Sequence, residues 1–397
     1  MPELPTVNVE LDNGALGTVD GSVGLVAGLV VTGVAATGLA LSVPKLISSL
    51  QDAVDLGITA TTNPFAYTHI SDFYEGYRFI SGKQVAKLWI MLVPETLTLT
   101  QQADITEAGG AVKLLKGAQG EVRILGLTRK PGGSYTPVVT DGIDADCLTA
   151  LAKAHDLGET LSKENQWPLR TLIEGRAFLI ANQGDLKDLK TYTLPRAGIV
   201  LVGKTNAGSS VGYTLGVKAA LPRQRKISRV RNGAINWPTA YIGDKEVKDV
   251  TNIADIHDKG YITMRQLPNK AGFYFTGEPM ATNPTDDYYL LSRGCVIDGA
   301  QIIAYNTFVN ELDDDVEVDP TTGELPDGYI ATLENNVNSA IRIGMSGEIS
   351  GDPKFSIVEG QNFLATNKTK VKLKVTPKGY QTGIEVGLGF SNPLNGQ

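Results

Sequence analysis

Between residues 23 and 222 the chain repeats one pattern: a short, almost wholly apolar run, then a longer amphipathic stretch. The runs are GLVAGLVVT, AKLWIMLVP, EVRILGLTR, RAFLIAN and AGIVLVG. Such runs leave neither face of a strand to water, so they predict strands of a sheet covered on both sides. Between them, apolar residues recur at helical spacing. In VPKLISSLQDAVDLGI, Leu46, Ile47, Leu50 and Val54 predict a helix that starts near Pro44 and stops at Gly57. LTQQADITEAGGAVKLLKGAQG and DADCLTALAKAHDLGETLS read the same way. Strands alternating with helices predict an α/β body, a mainly parallel or mixed sheet flanked by helices.

One of these runs carries a nucleotide-binding signature. Gly198 to Thr205 spells G-x-x-x-x-G-K-T, the phosphate loop of ATPases and GTPases. In such a loop the four middle residues turn their amides onto phosphate, and a helix opens at the Lys-Thr. Here the four are Ile-Val-Leu-Val, which reads as a buried strand whose amides are committed to neighbouring strands. The turn then falls in GKTNAGSSVG, with a helix starting near Ser209 and Ser210. The magnesium-binding carboxylate is also missing, because KLWIMLVPE places Pro94 and Glu95 where an Asp is needed. Lys204 is expected to be a dispensable surface lysine, and a P-loop-like nucleotide-binding protein is the alternative reading.

Residues 23–43 are uncharged and contain Gly24-x-x-x-Gly28, which raises a membrane anchor. Four glycines, frequent valine and the lack of a flanking basic cluster favour a buried strand from Val23 to Thr32 followed by a Gly/Ala-rich connection. No membrane span is expected, and a membrane-anchored surface protein is a further alternative.

Other chemistry is thinly represented. Cys147 and Cys295 are far apart and read as buried small apolar residues. His69, His155 and His257 have no ligand-like spacing, and the zincin and serine-hydrolase motifs are absent. Asp315-x-Glu317-x-Asp319 runs into Pro320 where a calcium loop needs Gly, so 311–324 reads as a solvated loop. No enzyme activity, cofactor or metal is expected. A net charge of −7 argues against nucleic acid as a partner. The basic stretch PRQRKISRVR, which includes Arg225 and Arg229, is set on an acidic body and suits docking to an acidic patch of a neighbouring copy.

The two ends differ from the body. In TVNVEL, Val7, Val9 and Leu11 alternate with polar residues, while Pro2 and Pro5 keep residues 1–22 extended. So short a strand must join a sheet, its own or a neighbour's. Beyond QRKISRVRNGAINWP the texture changes to helices plus antiparallel strands. A helix from about Ser292 to Leu312 is expected to bury Ile297, Ile302, Tyr305, Val309 and Leu312, and YIATLENNVNSAIRIGM predicts another. Val371, Leu373 and Val375 alternate with lysines, and Ile384, Val386, Leu388 and Phe390 alternate with Glu385 and glycines. The two segments predict an antiparallel hairpin. The expected organisation is an arm (1–22), an α/β body (23–222), an α+β domain (223–383) and a terminal strand and arm (384–397).

In this order the segments resemble the tail sheath proteins of contractile-tailed bacteriophages and related contractile injection systems. The resemblance is carried by LISSLQDAVDLGI, TTNPFAYTHISDFYEGY and KLWIMLVP, then by SSVGYTLGVKAALPRQRKISRVRNGAINW. It continues through DKGYITMRQLPNKAGFYFTGEPMA and DYYLLSRGCVIDGAQIIAYNTFVNEL. It spans most of 23–390 without a large outer insertion, and the phosphate-loop signature is not one of its features. It implies a structural subunit that polymerises as stacked rings around a tail tube protein and contracts to drive the tube through an envelope. It also implies strand exchange between copies by the arms, baseplate and terminator proteins as further partners, and a place in the virion tail after assembly in the host cytoplasm. On that reading Val7, Val9, Leu11, Ile384, Val386, Leu388, Phe390, Arg225 and Arg229 are subunit-interface residues.

Overall fold

The computed structural model describes residues 25–389 except 207, 313, 358–360 and 367. The expected N-terminal arm with Val7, Val9 and Leu11 therefore lies outside the described residues, as does Phe390. Two compact units divide between Ser292 and Arg293.

The first unit opens with β1 (Ala27–Thr32), β2 (Lys45–Ile47), α1 (Leu50–Asp55), α2 (Pro64–Ser81) and β3 (Leu88–Val93). Next come α3 (Leu99–Ala103), α4 (Ala111–Gly117), β4 (Ile124–Thr128), the small hairpin β5 (Val139–Thr140) and β6 (Ile143–Asp144), and α5 (Ala145–Glu164). It continues with β7 (Arg170–Glu174), β8 (Thr193–Leu194), β9 (Ala197–Val200), β10 (Val202–Gly203) and α6 (Val211–Ala220). The main sheet has the order β2-β3-β1-β4-β7-β9. Its strands are parallel except β2, which runs against β3. Every residue of β1 is buried, as its uninterrupted apolar run requires. Gly28 and Gly126 mark the two faces of the sheet. A side chain on Gly28 would meet Leu114 of α4, and one on Gly126 would meet Val211 and Leu215 of α6.

Three local expectations change. Residues 45–47 form an edge strand, because Ser49 caps the helix that follows it: the Ser49 hydroxyl accepts from the Asp52 amide at 3.2 Å. The stretch 99–120 splits into two helices, since Asp104 leaves the helical region in an extended conformation. RAFLIAN is not a strand. Ala177 has a left-handed φ of 57°, and Ile180–Asp185 is a 3-10 turn. The strand is the preceding RTLIE, whose charged ends Arg170 and Glu174 are both buried. Helix α2 carries no clean apolar run in sequence, yet it starts at Asn63-Pro64 and ends at Gly82 with φ 70°.

Helices α2 and α6 meet at backbone distance on one face of the sheet. A methyl group on Gly212 would overlap the His69 carbonyl oxygen, one on Gly216 that of Phe73, and one on Gly76 that of Tyr213. Spaced one turn apart, Gly212 and Gly216 present a flat strip along which α2 lies.

Residues 223–291 are sewn to this body, which is why the compact units do not divide at the change of texture near 222. The fully buried Lys218 Nζ donates to the carbonyls of Arg223 and Arg225 and to Ser292 Oγ, at 2.9, 3.1 and 2.7 Å. Buried Glu278 accepts from the amides of Ile227 and Ser292. β10 extends into β11 (Tyr241–Ile242) and β12 (Lys245–Glu246), and β8 pairs with residues 281–282.

In the second unit, residues from the helix Leu291–Phe308 and the helix Asp327–Gly344 pack on a two-stranded sheet, Lys354–Ile357 against Val371–Lys374. Its core joins Val296, Ala300, Ile341 and Met345, and beside them Leu333, Val337 and Phe355. Tyr305, Val309 and Leu312 are exposed, so the buried face of the first helix is rotated from the expected one towards Val296 and Ala300. The expected hairpin is also re-partnered. Val371–Lys374 pairs with Lys354–Ile357, and 381–389 forms no strand. Among the described residues, no helix is long and apolar enough to cross a membrane.

The α2–α6 contact yields a test in which two effects oppose. Helix propensity alone predicts that Gly216→Ala gains up to about 1 kcal/mol. Overlap with the Phe73 carbonyl is expected to outweigh this and give a net loss of about 1–3 kcal/mol in urea denaturation. A stabilised variant would mean that the helices part easily.

Candidate functional site

The phosphate-loop look-alike is built as a strand. Gly198, Ile199 and Val200 lie in β9, and the Leu201 amide donates to the Ile262 carbonyl at 3.0 Å. The helix begins only at Val211, with Ser210 as its N-cap, as the run of apolar residues implied. Lys204 is not the free surface lysine expected. Its Nζ lies 2.6 Å from Asp72 Oδ1 and 2.7 Å from Glu75 Oε2, both on α2. The ammonium also faces the rings of Trp237 and Tyr213 at 5.3 and 5.7 Å, and the Trp237 indole donates to Glu75 at 3.1 Å. Asp72 is buried, and burial raises its pKa against the pull of Lys204. The lysine that would touch phosphate in a nucleotide hydrolase instead pins the loop to α2.

The carboxyl ends of β4 and β7, one step along the sheet from β1, are filled by the chain's own charges. Arg176 bonds Asp144 at 2.7 Å, Asp146 at 3.1 Å and Glu174 at 3.1 Å. Arg129 reaches Asp146 at 3.2 Å and the Glu95 carbonyl at 3.1 Å, while its amide donates to Glu174 at 2.9 Å. The Tyr135 hydroxyl donates to Asp144. Asp146 in turn accepts from the Leu99 and Thr100 amides and so caps α3. Three carboxylates share two guanidinium groups. Burial raises the Glu174 pKa to about 7, against the opposing pull of Arg176. Among the described residues no cluster of His, Cys, Asp or Glu is placed to hold a metal ion. Cys147 and Cys295 are free and buried. His69 is fully buried on α2, which pushes its pKa down to about 4.

The remaining candidates concern assembly. Ile384, Val386 and Leu388 lie in one segment that is neither helix nor strand and are 73%, 77% and 96% exposed. Large apolar side chains grouped and exposed in this way are a general feature of association surfaces. Arg229 is exposed and Arg225 half-buried, and burial with the neighbouring Arg229 charge lowers the Arg225 pKa.

A family model described as "DUF2586, N-terminal domain" matches residues 4–278. The chain belongs to the DUF2586 family. No curated protein matches it. Among solved structures, this DUF2586 chain is similar to a chain of the anti-feeding prophage baseplate in its 6-fold symmetrised form. That pair has a TM-score of 0.57 at 11% identity and covers 99% of this chain and 100% of the other. A chain of the contracted anti-feeding prophage helical sheath gives 0.55 at 13%, covering 98% and 99%. A chain of the contracted PVC sheath complex, an extracellular contractile injection system, gives 0.57 at 12%, covering 100% and 99%. At these identities the likeness is one of fold, and it runs nearly end to end in both partners.

Sequence reading missed Asp72, Glu75, Arg129, Glu174 and Arg176. None stands in a recognisable motif: Asp72 and Glu75 of α2 gain their role on meeting Lys204, and Arg129, Glu174 and Arg176 on meeting Asp144 and Asp146 at the strand ends. The one available signal was charge at the boundary of an apolar run, as in Arg129 and Glu174.

Two outcomes follow for this family member. Lys204→Met is expected to cost about 1–3 kcal/mol by leaving buried Asp72 without its cation, and adding Asp72→Asn should recover much of it. Denaturation of the two variants side by side measures this. Glu174 holds its proton more tightly when folded than its ordinary value near 4.5 allows. Its stabilising contribution is therefore complete below about 4.5 and is lost as pH rises to about 7, on the order of 3 kcal/mol. The histidines, held below their ordinary value by burial, act in the opposite sense over the same range. The difference in stability between the native chain and Glu174→Gln, followed from pH 5 to 8, isolates the glutamate.

Proposed function

We propose that this protein is the structural subunit of a contractile sheath, polymerising as stacked rings around a tail tube and contracting to drive the tube through a target envelope. The observation that carries the reading is the near end-to-end fold likeness to chains of the anti-feeding prophage and PVC assemblies, two of them contracted sheaths. The filled strand ends and the committed Lys204 support a mechanical role without catalysis. Neighbouring copies are the principal partners, with tail tube, baseplate and terminator proteins beyond them. The protein would be assembled in the host cytoplasm and reside in the virion tail.

On this reading the ends of the chain are its connectors. Ile384, Val386 and Leu388, continued by Phe390, add a strand to a neighbour's sheet, and the alternating Val7, Val9 and Leu11 supply the partner arm. Burying such a side chain contributes roughly 1.5–3 kcal/mol, part of which offsets the entropy of ordering an extended segment. Repeated through a lattice, a modest gain per copy links subunits that still rotate and slide. Arg225 and Arg229 dock an acidic patch of the next copy, adding specificity more than affinity.

Purified protein viewed by negative-stain microscopy is expected to form long cylinders. A chain lacking 384–397, or one lacking 1–16, is expected to stay folded by circular dichroism and to form none. Cylinders of full length from both truncations would assign the linkage to lateral contacts. A protein that stays monomeric at every concentration tested would overturn the sheath reading.

A further inference from the structure

The carboxyl ends of β1, β3 and β4 hold a cavity of about 90 Å³ at the mouth of α2, lined by Thr32, Gly33, Asn63, Phe65, Glu95 and Lys130 among others. In the order β3-β1-β4 the chain leaves β1 towards one side and later returns to its other side, so the cavity lies at the topological switch point of the sheet. Its donors are unspent. Asn63 Oδ1 accepts from the Val34 amide at 2.7 Å. An amide N–H cannot pair with an NH₂ group, so this bond fixes the orientation of the side chain and leaves Nδ2 as the free end. Nδ2 has no acceptor, although Asn63 is only 3% exposed. The Thr32 hydroxyl likewise has no partner at 4% exposure.

The 18-residue helix α2 adds to this. Pro64 has no N–H, and the Asn63 side chain is spent on Val34 and does not cap the helix. The Phe65 and Ala66 amides have no acceptor among the described residues. Lys130 is exposed and, among the described residues, has no ion-pair partner. Buried donors without acceptors are costly, so a polar occupant is favoured here.

The charge balance selects the occupant. Lys130 contributes one positive charge and the helix end about half of one, while Glu95 contributes one negative charge. The sum is about half a positive charge, which a single negative charge offsets to within about half a unit, whereas a double one overshoots by about one and a half. The volume is near that of three water molecules at about 30 Å³ each. We propose that this cavity binds a small free monocarboxylate, of the size of formate or acetate, with its oxygens on Asn63 Nδ2 and the first amides of α2. The inference does not rest on the sheath reading.

The test titrates the full-length chain with formate, acetate, chloride and phosphate at constant ionic strength, reading thermal stability and calorimetric binding. Formate and acetate are expected to bind saturably and to raise the melting temperature, whereas chloride does not. Lys130→Gln should weaken formate binding up to about fivefold, and Glu95→Gln should tighten it by a similar factor. Both residues are exposed, so both variants are expected to fold. Absence of saturable formate or acetate binding overturns the proposal. Binding that both substitutions leave unchanged places the ligand elsewhere and also overturns it. Phosphate binding more tightly than formate refutes the choice of a singly charged carboxylate.

Discussion

The contact between α2 and α6 sets the rest of the first unit. Gly76, Gly212 and Gly216 remove the side chains that would hold these helices apart, so carbonyls of one lie against the backbone of the other. Close approach replaces side-chain packing with many short-range dispersion contacts and weak Cα–H···O interactions. Two further placements depend on it. Asp72 and Glu75 come within reach of Lys204, which anchors the turn between β10 and α6. The first turn of α2 is held over the end of β1, where Asn63 bonds the Val34 amide.

The ion cluster at the ends of β4 and β7 performs a comparable task on the opposite side. Arg129 and Arg176 bridge the strand ends to the start of α5 through Asp144 and Asp146, and Asp146 also caps α3. Buried ion pairs of this kind add little net stability compared with apolar packing, but losing one partner is costly. In the proposed sheath role, a body locked in this way would transmit force as a rigid piece. The exposed Ile384, Val386 and Leu388 are the association surface of that proposal. The second unit has a separate core, formed by two helices on two short strands.

The legible elements were those whose identity is local. The runs at 27–32, 88–93, 124–128 and 197–200 are strands because no other element buries both faces of so short an apolar segment. The helix 145–164 was legible from its cap and its spacing. RTLIE was hidden because its charged ends are buried by partners distant in sequence, and RAFLIAN was misleading because Ala177 turns the chain out of line. Val371–Lys374 reads as a strand from its alternation, but alternation does not say which segment it pairs with. The helix 291–308 shows the same limit, since its pattern announced a helix while packing chose the buried face.

By itself, then, the sequence determined the α/β class of the body and the strand character of the phosphate-loop look-alike. It also determined the apolar alternation at 384–388. These depend on periodicity and on where backbone amides are satisfied, which a local stretch specifies. Tertiary structure alone decided that Lys204 is bound to Asp72 and Glu75 and that five charges fill the carboxyl ends of β4 and β7. It decided too that Asn63 and Thr32 face a cavity with unspent donors. These are meetings of residues far apart in the chain, and no local pattern encodes the distance between them.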